Sequence, residues 1–305
     1  MKKRVLFVTI LMILVVFTFG YIFHRDTEIE RHNYPPVILS KETVNSAKNL
    51  YFVFLNGLDT RCDGSPFQHM GFENIRRALS VIGYSFYDDR FLMYSYMGGH
   101  IENSNWVPYP YTRKNTGQSL YLSVNQLEQL IENISLANPE ARFILVGHSL
   151  GGRIALDFVS TTHPDHRKKI RGVVTLNSPL MGSTINVPGI LMRILDASGS
   201  VWGSTAVKQL IYESRFYQDF LQLRTSSIKQ LQRDGVQVAT FSHHKDYFVS
   251  SKTSCITDHR GYPITAGFII NNSPIHSKYG LNSHMQILDD QNVISYLLTL
   301  ASRSI

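Results

Sequence analysis

At 305 residues, 43% hydrophobic and 17% charged, the chain has a globular composition that excludes long disorder and leaves room for one large α/β domain with an N-terminal appendage. The net charge of +7 is a mild basic excess, suited equally to an anionic membrane surface and to an ordinary basic protein. No nucleic-acid motif and no run of basic residues mixed with aromatics accompanies it.

Lys2, Lys3 and Arg4 precede an uncharged apolar run from Val5 to Phe23. As a helix that run would be about 28 Å long, close to the hydrocarbon thickness of a bilayer. The positive-inside rule places its N-terminus in the cytoplasm and the rest of the chain outside. We therefore expect a transmembrane signal anchor over residues 1–24. A cleaved signal peptide is the rival, with Thr18-Phe19-Gly20 as a weak cleavage site and a secreted domain as the result. Residues 25–35 read as a polar tether, and the domain proper is expected over 36–305, with a short edge strand near Val37–Leu39. Cys62 and Cys255 are too far apart in sequence for a CxxC pattern. In an exported domain they form either one disulfide or two free thiols.

Leu50 to Leu55 is an apolar, aromatic and β-branched run ending at Asn56-Gly57, the signature of a central buried strand. Phe67 to Ile82 carries apolar residues at helical spacing and stops at Gly83. Phe91 to Tyr96 reads as the next strand. Met97 to Asn115, with Trp106, Tyr109, Tyr111 and two prolines, reads as a long loop. Ser119 to Ile134 is an amphipathic helix, its apolar residues Leu120, Val124, Leu127, Ile131 and Ile134 alternating spacings of four and three.

Arg142 to Ile154 is the stretch around which the rest is organised. The apolar run Phe143 to Val146 suits a buried parallel strand, Gly147-His148-Ser149-Leu150-Gly151 matches G-x-S-x-G, and a helical pattern comes next. So tight a turn needs almost no side chain two positions either side of the serine, and Gly147 and Gly151 meet that need. Ser149 would project its hydroxyl from the turn, and the Leu150 N–H is placed to donate to an oxyanion. With Gly152 included, this segment resembles the nucleophile elbow of lipases and lipase-like esterases of the α/β-hydrolase superfamily. The resemblance implies an α/β-hydrolase fold: a mostly parallel central sheet flanked by helices, with a cap inserted late in the chain.

Further segments are similar to the same family. The turn Asn56-Gly57-Leu58-Asp59 occupies the place of its second oxyanion donor, which assigns that role to the Leu58 N–H. Asn56 stands where the family usually has histidine. Asn177 to Ser183 resembles the turn beside the serine. Residues 184–235 interrupt the strand–helix alternation, with candidate helices at Ile190–Leu195 and Thr205–Leu223. They are expected to form a helical cap or lid. The aromatic loop 97–115 is expected either to overhang the serine as an apolar acyl pocket or simply to pack itself down.

A serine hydroxyl needs a base, and the base an orienting acid. In this family the order is Ser, acid, His. Asp246, just past the strand Val236–Phe241, is the expected acid, with Asp258 and Asp289 as alternatives. His284 leads into a C-terminal helix in the pattern of the family's catalytic histidine, and His276 is the runner-up among twelve histidines. His148 reads as structural, pointing away. His243 and His244 lie on opposite faces of a strand and do not make a metal site. The chemistry so implied is ester hydrolysis on lipid-like or other apolar acyl groups, without metal or organic cofactor. Acyl transfer by the same triad and a non-catalytic membrane-anchored binding protein on this fold are the alternatives.

Overall fold

The computed structural model describes residues 49–65, 71–183, 195, 197–258, 262–270 and 283–303. Strands β1 (Leu50–Leu55), β2 (Phe91–Met93), β5 (Arg142–His148), β6 (Ile170–Leu176), β7 (Gln237–His243) and β8 (Ile269–Ile270) make one sheet in the order β2-β1-β5-β6-β7-β8. Every pairing in it is parallel. The longer helices are α1 (Glu73–Leu79), α2 (Leu120–Ala137), α3 (Leu150–Thr161), α4 (Thr205–Ser214), α5 (Tyr217–Arg233) and α6 (Gln291–Arg303).

The near-continuous apolar strands follow from burial on both faces. Side chains alternate, so Val53, Leu55 and Leu145 face one core while Phe52, Phe54, Ile144 and Val146 face the other. Leu127, Ile131, Ile154, Leu210 and Ile228 on α2 to α5 close the first core. Ile75 and Leu79 of α1 and Val293, Leu297 and Leu300 of α6 close the second. This is a mostly parallel central sheet flanked by helices.

Two expectations change here. The stretch 97–115 is no plain loop. It holds an antiparallel hairpin, β3 (Gly99–Glu102) with β4 (Asn105–Pro108), turned through Asn103 and Ser104 at φ 48° and 66°. Two consecutive positive-φ residues match the strand twist, and Asn-Ser does so without the usual Asn-Gly signal. Trp106 and Tyr111 are buried, the Trp106 indole donating to the Met93 carbonyl at 2.9 Å, so these aromatics pack the segment down. The expected helix Thr205–Leu223 is two helices, broken between Ser214 and Tyr217. Phe216 and Leu223 are exposed, and α5 instead buries Arg224, Ile228 and Leu231.

Cys62 and Cys255 are both free and buried. Cys62 bridges to Tyr111 beyond β1, while the Cys255 thiol lies against the Thr240 carbonyl of β7. Among the described residues no helix is long and apolar enough to cross a membrane. The expected anchor, tether and edge strand, residues 184–194 and 196 of the expected cap, and His276 lie outside the described residues.

Candidate functional site

The carboxyl ends of parallel strands form the edge where open α/β sheets bind ligands. Three strands of this protein deliver residues there. β5 passes directly into α3 through Ser149, which has φ 54° and ψ −129°. A non-glycine residue held there is strained and stays only because its surroundings over-determine it. A Cβ on Gly147 would overlap the backbone of Gly152, and one on Gly151 would overlap the Leu55 carbonyl. The Ser149 N–H is tied to the Leu176 carbonyl at 2.9 Å.

β1 delivers the turn 56–58. A Cβ on Gly57 would overlap that of Ser149 and lie 2.8 Å from its Oγ and 3.1 Å from the Leu150 nitrogen. The turn is braced. Tyr96 donates to the Asn56 carbonyl at 2.9 Å, Thr60 to the Gly57 carbonyl at 2.8 Å, and the Asp59 N–H donates to Thr116 Oγ1 at 3.0 Å. As the first residue of α3, Leu150 has an N–H with no intrahelical acceptor. Leu58, Ser149, Leu150 and His284 line one cavity. Gly57→Ala is expected to lower kcat about 100-fold, since misplacing reacting groups by 1 Å costs that much. Steady-state kinetics beside a thermal melt separates this from unfolding.

β7 delivers Asp246. Its Oδ1 accepts the N–H groups of Phe248 (2.8 Å) and Val249 (3.1 Å), and its Oδ2 lies 2.6 Å from His284 Nδ1. The carboxylate side chain is fully buried, so three donors replace its water. His284 stands in a short helical turn, Ser283–Gln286, against the Phe248 ring at 5.3 Å. The rival acids are elsewhere: Asp289 accepts from Asn74 on α1, and Asp258 accepts the Tyr262 N–H within its own turn.

His148 does not point away from this group. Its Nε2 is 2.7 Å from the His284 carbonyl oxygen and its ring centroid 4.6 Å from that of His284. A carbonyl only accepts, so Nε2 carries the hydrogen. Burial first, and the neighbouring His284 charge second, lower the His148 pKa to about 3, leaving it neutral.

The cavity holds about 290 Å³. Its apolar walls come from Val207 and Leu210 of α4 and from Pro179 and Phe248, and no residue of 97–115 lines it. A more polar groove of about 920 Å³ adjoins it, sharing Asp59 and Trp202 and carrying Arg61, Asp63, Arg113 and Lys114.

Helices α4 and α5, in the segment expected to form a cap, are tied to α3 by a buried ion network. Arg153 Nε donates to Asp157 Oδ2 at 2.7 Å, and its Nη1 and Nη2 form a bidentate pair with Glu213 of α4 at 2.5 and 2.9 Å. Arg224 of α5 closes the network on Asp157 Oδ1. Sequence reasoning missed it. The signal present was Arg153 and Asp157, a charged i, i+4 pair in an otherwise uncharged helix. It also missed Asn177 and the contact of His148 with His284.

The family model described as a PGAP1-like alpha/beta domain matches residues 112–269, a stretch that contains Ser149 and Asp246. No curated protein matches the chain. Three solved structures show the range of similarity. A metagenomic carboxyl esterase aligns at 13% identity and TM-score 0.48, over 85% of this chain and 77% of that one. A lipase-esterase related protein from Clostridium acetobutylicum aligns at 12% and 0.47, over 83% and 94%. Phospholipase PlaB from Legionella pneumophila aligns at 12% and 0.42 over 64% of this chain, and that match spans only 39% of the phospholipase's own length. With more than half of its residues inside the family match, the chain belongs to the PGAP1-like alpha/beta domain family.

Proposed function

We propose that this protein is a serine ester hydrolase with Ser149 as nucleophile, His284 as base and Asp246 as orienting acid. The observation that carries the reading is the 2.6 Å Asp246–His284 contact at a cavity that also holds Ser149 on its strained turn. His284 takes the Ser149 proton as Oγ attacks the acyl carbonyl, and the Leu58 and Leu150 N–H groups receive the oxyanion. His284 then protonates the leaving alcohol, and water repeats the sequence on the acyl-enzyme. Asp246, hydrogen-bonded to His284 Nδ1, stabilises the imidazolium that forms. These steps call on side chains and backbone N–H groups alone.

The apolar cavity beside Ser149 suits the acyl chain, and the polar groove beyond Asp59 and Trp202 suits the alcohol. The run Val5–Phe23 supports a membrane anchor that holds the domain outside the cytoplasm, with residues 25–35 as tether and 36–305 as the hydrolase domain.

The test uses p-nitrophenyl esters of increasing acyl length together with a fluorophosphonate probe. The apolar cavity of about 290 Å³ is bounded, so turnover is expected to rise with acyl length to an optimum and then to fall, with the probe on Ser149. Turnover that does not depend on acyl length would refute the pocket assignment. Absence of both turnover and labelling would refute the enzyme.

A further inference from the structure

We infer that His148 and Asn177 are positioning residues which hold His284 in register with Ser149 on one side and Asp246 on the other. The inference rests on the triad reading above and extends it to two side chains that make no contact with the reacting atoms.

The His284 carbonyl oxygen accepts two hydrogen bonds, from His148 Nε2 at 2.7 Å and from Asn177 Nδ2 at 3.1 Å. Asn177 Nδ2 also reaches the Ser283 carbonyl at 3.2 Å. The other end of the same amide, Oδ1, accepts the His243 N–H at 2.7 Å. His243 is the last residue of β7, and its carbonyl accepts the Asp246 N–H at 3.1 Å. One asparagine therefore spans from the acid's strand to the base's segment. His148 stands immediately before Ser149 and spans from the nucleophile's turn to that same segment.

Sequence and chemistry fit these roles. Asn177 follows β6 directly, is fully buried and has φ 47°, a conformation asparagine tolerates better than most residues. Its amide is a donor and an acceptor at once, which the bridge requires and a carboxylate cannot supply. His148 must remain a neutral Nε2–H donor. Its burial and the neighbouring imidazole ensure this, even when His284 carries a proton during turnover. The His284 side chain has its Nδ1 held by Asp246, and its backbone is held by β5 and β6 through these two residues. Both ends of the base are thereby fixed to neighbouring strands.

The experiment pairs amides of two lengths. In His148→Gln the Gln Nε2 reaches the position of the imidazole Nε2, and in His148→Asn the shorter amide does not. Asn177→Gly removes the bridge and keeps a residue that accepts positive φ without strain. His148→Asn and Asn177→Gly are expected to lower kcat about 100-fold with KM within about twofold, and to slow fluorophosphonate labelling of Ser149 in parallel. His148→Gln is expected to remain within about threefold of wild type, although both His148 variants melt at similar temperatures. Equal kcat for the Gln and Asn variants, or losses that follow melting temperature rather than the presence of the donor, would overturn the assignment. A wild-type protein that neither turns over nor labels would instead remove the triad reading beneath it.

Discussion

Ser149→Ala is expected to lower kcat for p-nitrophenyl ester hydrolysis by about 10⁵-fold or more and to abolish fluorophosphonate labelling. Without the hydroxyl no acyl-enzyme forms. What remains is the oxyanion site between the 56–58 turn and the start of α3, acting on water alone. Asp246→Asn is expected to cost about 10⁴-fold, for a different reason. Asp246 Oδ2 accepts from His284 Nδ1 at 2.6 Å, which leaves Nε2 unprotonated and able to take the serine proton. An asparagine retains Oδ1 for the Phe248 and Val249 N–H groups, which turns its NH₂ towards Nδ1. Nδ1 then has to accept, the proton moves to Nε2, and the base is lost with the geometry intact. The double variant should be no slower than Ser149→Ala, because the three groups act as one unit. Additive losses, or more than about 1% residual activity in Ser149→Ala, would break the mechanism.

Asp157→Ala is expected to destabilise the protein by about 3–5 kcal/mol in urea unfolding. Asp157 is shared by Arg153 and Arg224, both buried, and its removal leaves the Arg224 guanidinium with the Leu180 carbonyl at 3.3 Å in place of a charge partner. Burial by itself would raise the Asp157 pKa. The charges of Arg153 and Arg224 outweigh it and hold the carboxyl below its usual range. A depressed folded-state pKa gives a definite sign. The stabilisation is complete above the unfolded value of about 3.9 and is lost as pH falls through the lower folded value. The wild type and Asp157→Ala should therefore converge in stability only in strong acid. Adding Arg224→Met to Asp157→Ala should recover part of the loss, since no orphaned charge remains. A cost under about 1 kcal/mol, independent of pH, would show that the network does not fasten the cap. The network joins α3 to α4 and α5, and α4 supplies Val207 and Leu210 to the pocket wall.

Much of the site was legible because its parts are local. The apolar run into Gly147, the G-x-S-x-G spacing and the adjoining helix are all short-range constraints, and each has one backbone solution that fits. Ser149 and Asp246 were readable as residues shortly past strand ends, while the order Ser149, Asp246, His284 and the choice of His284 came from the family resemblance. Periodicity also placed β1, β5, β7 and the helices α2 and α6 to within a few residues.

Three things were decided only by tertiary structure. The hairpin within 97–115 depends on two positive-φ residues, Asn103 and Ser104, whose conformation is selected by the pairing of β3 with β4 and not by their own propensity. The joining of α3 to α4 and α5 rests on a network whose members, Arg153, Asp157, Glu213 and Arg224, are spread across those three helices. Each looks like a surface residue until burial brings it to its partner. The hold on His284 depends on His148 and Asn177, which meet that residue only because β5 and β6 are neighbours in the sheet. The sequence by itself brought Ser149, Asp246 and His284 forward as candidates, since turns and periodicity are properties of adjacent residues and the family resemblance supplied their order. How the base is held and how the pocket is walled were left to the fold, because they rest on contacts between residues far apart in the chain, which packing alone selects.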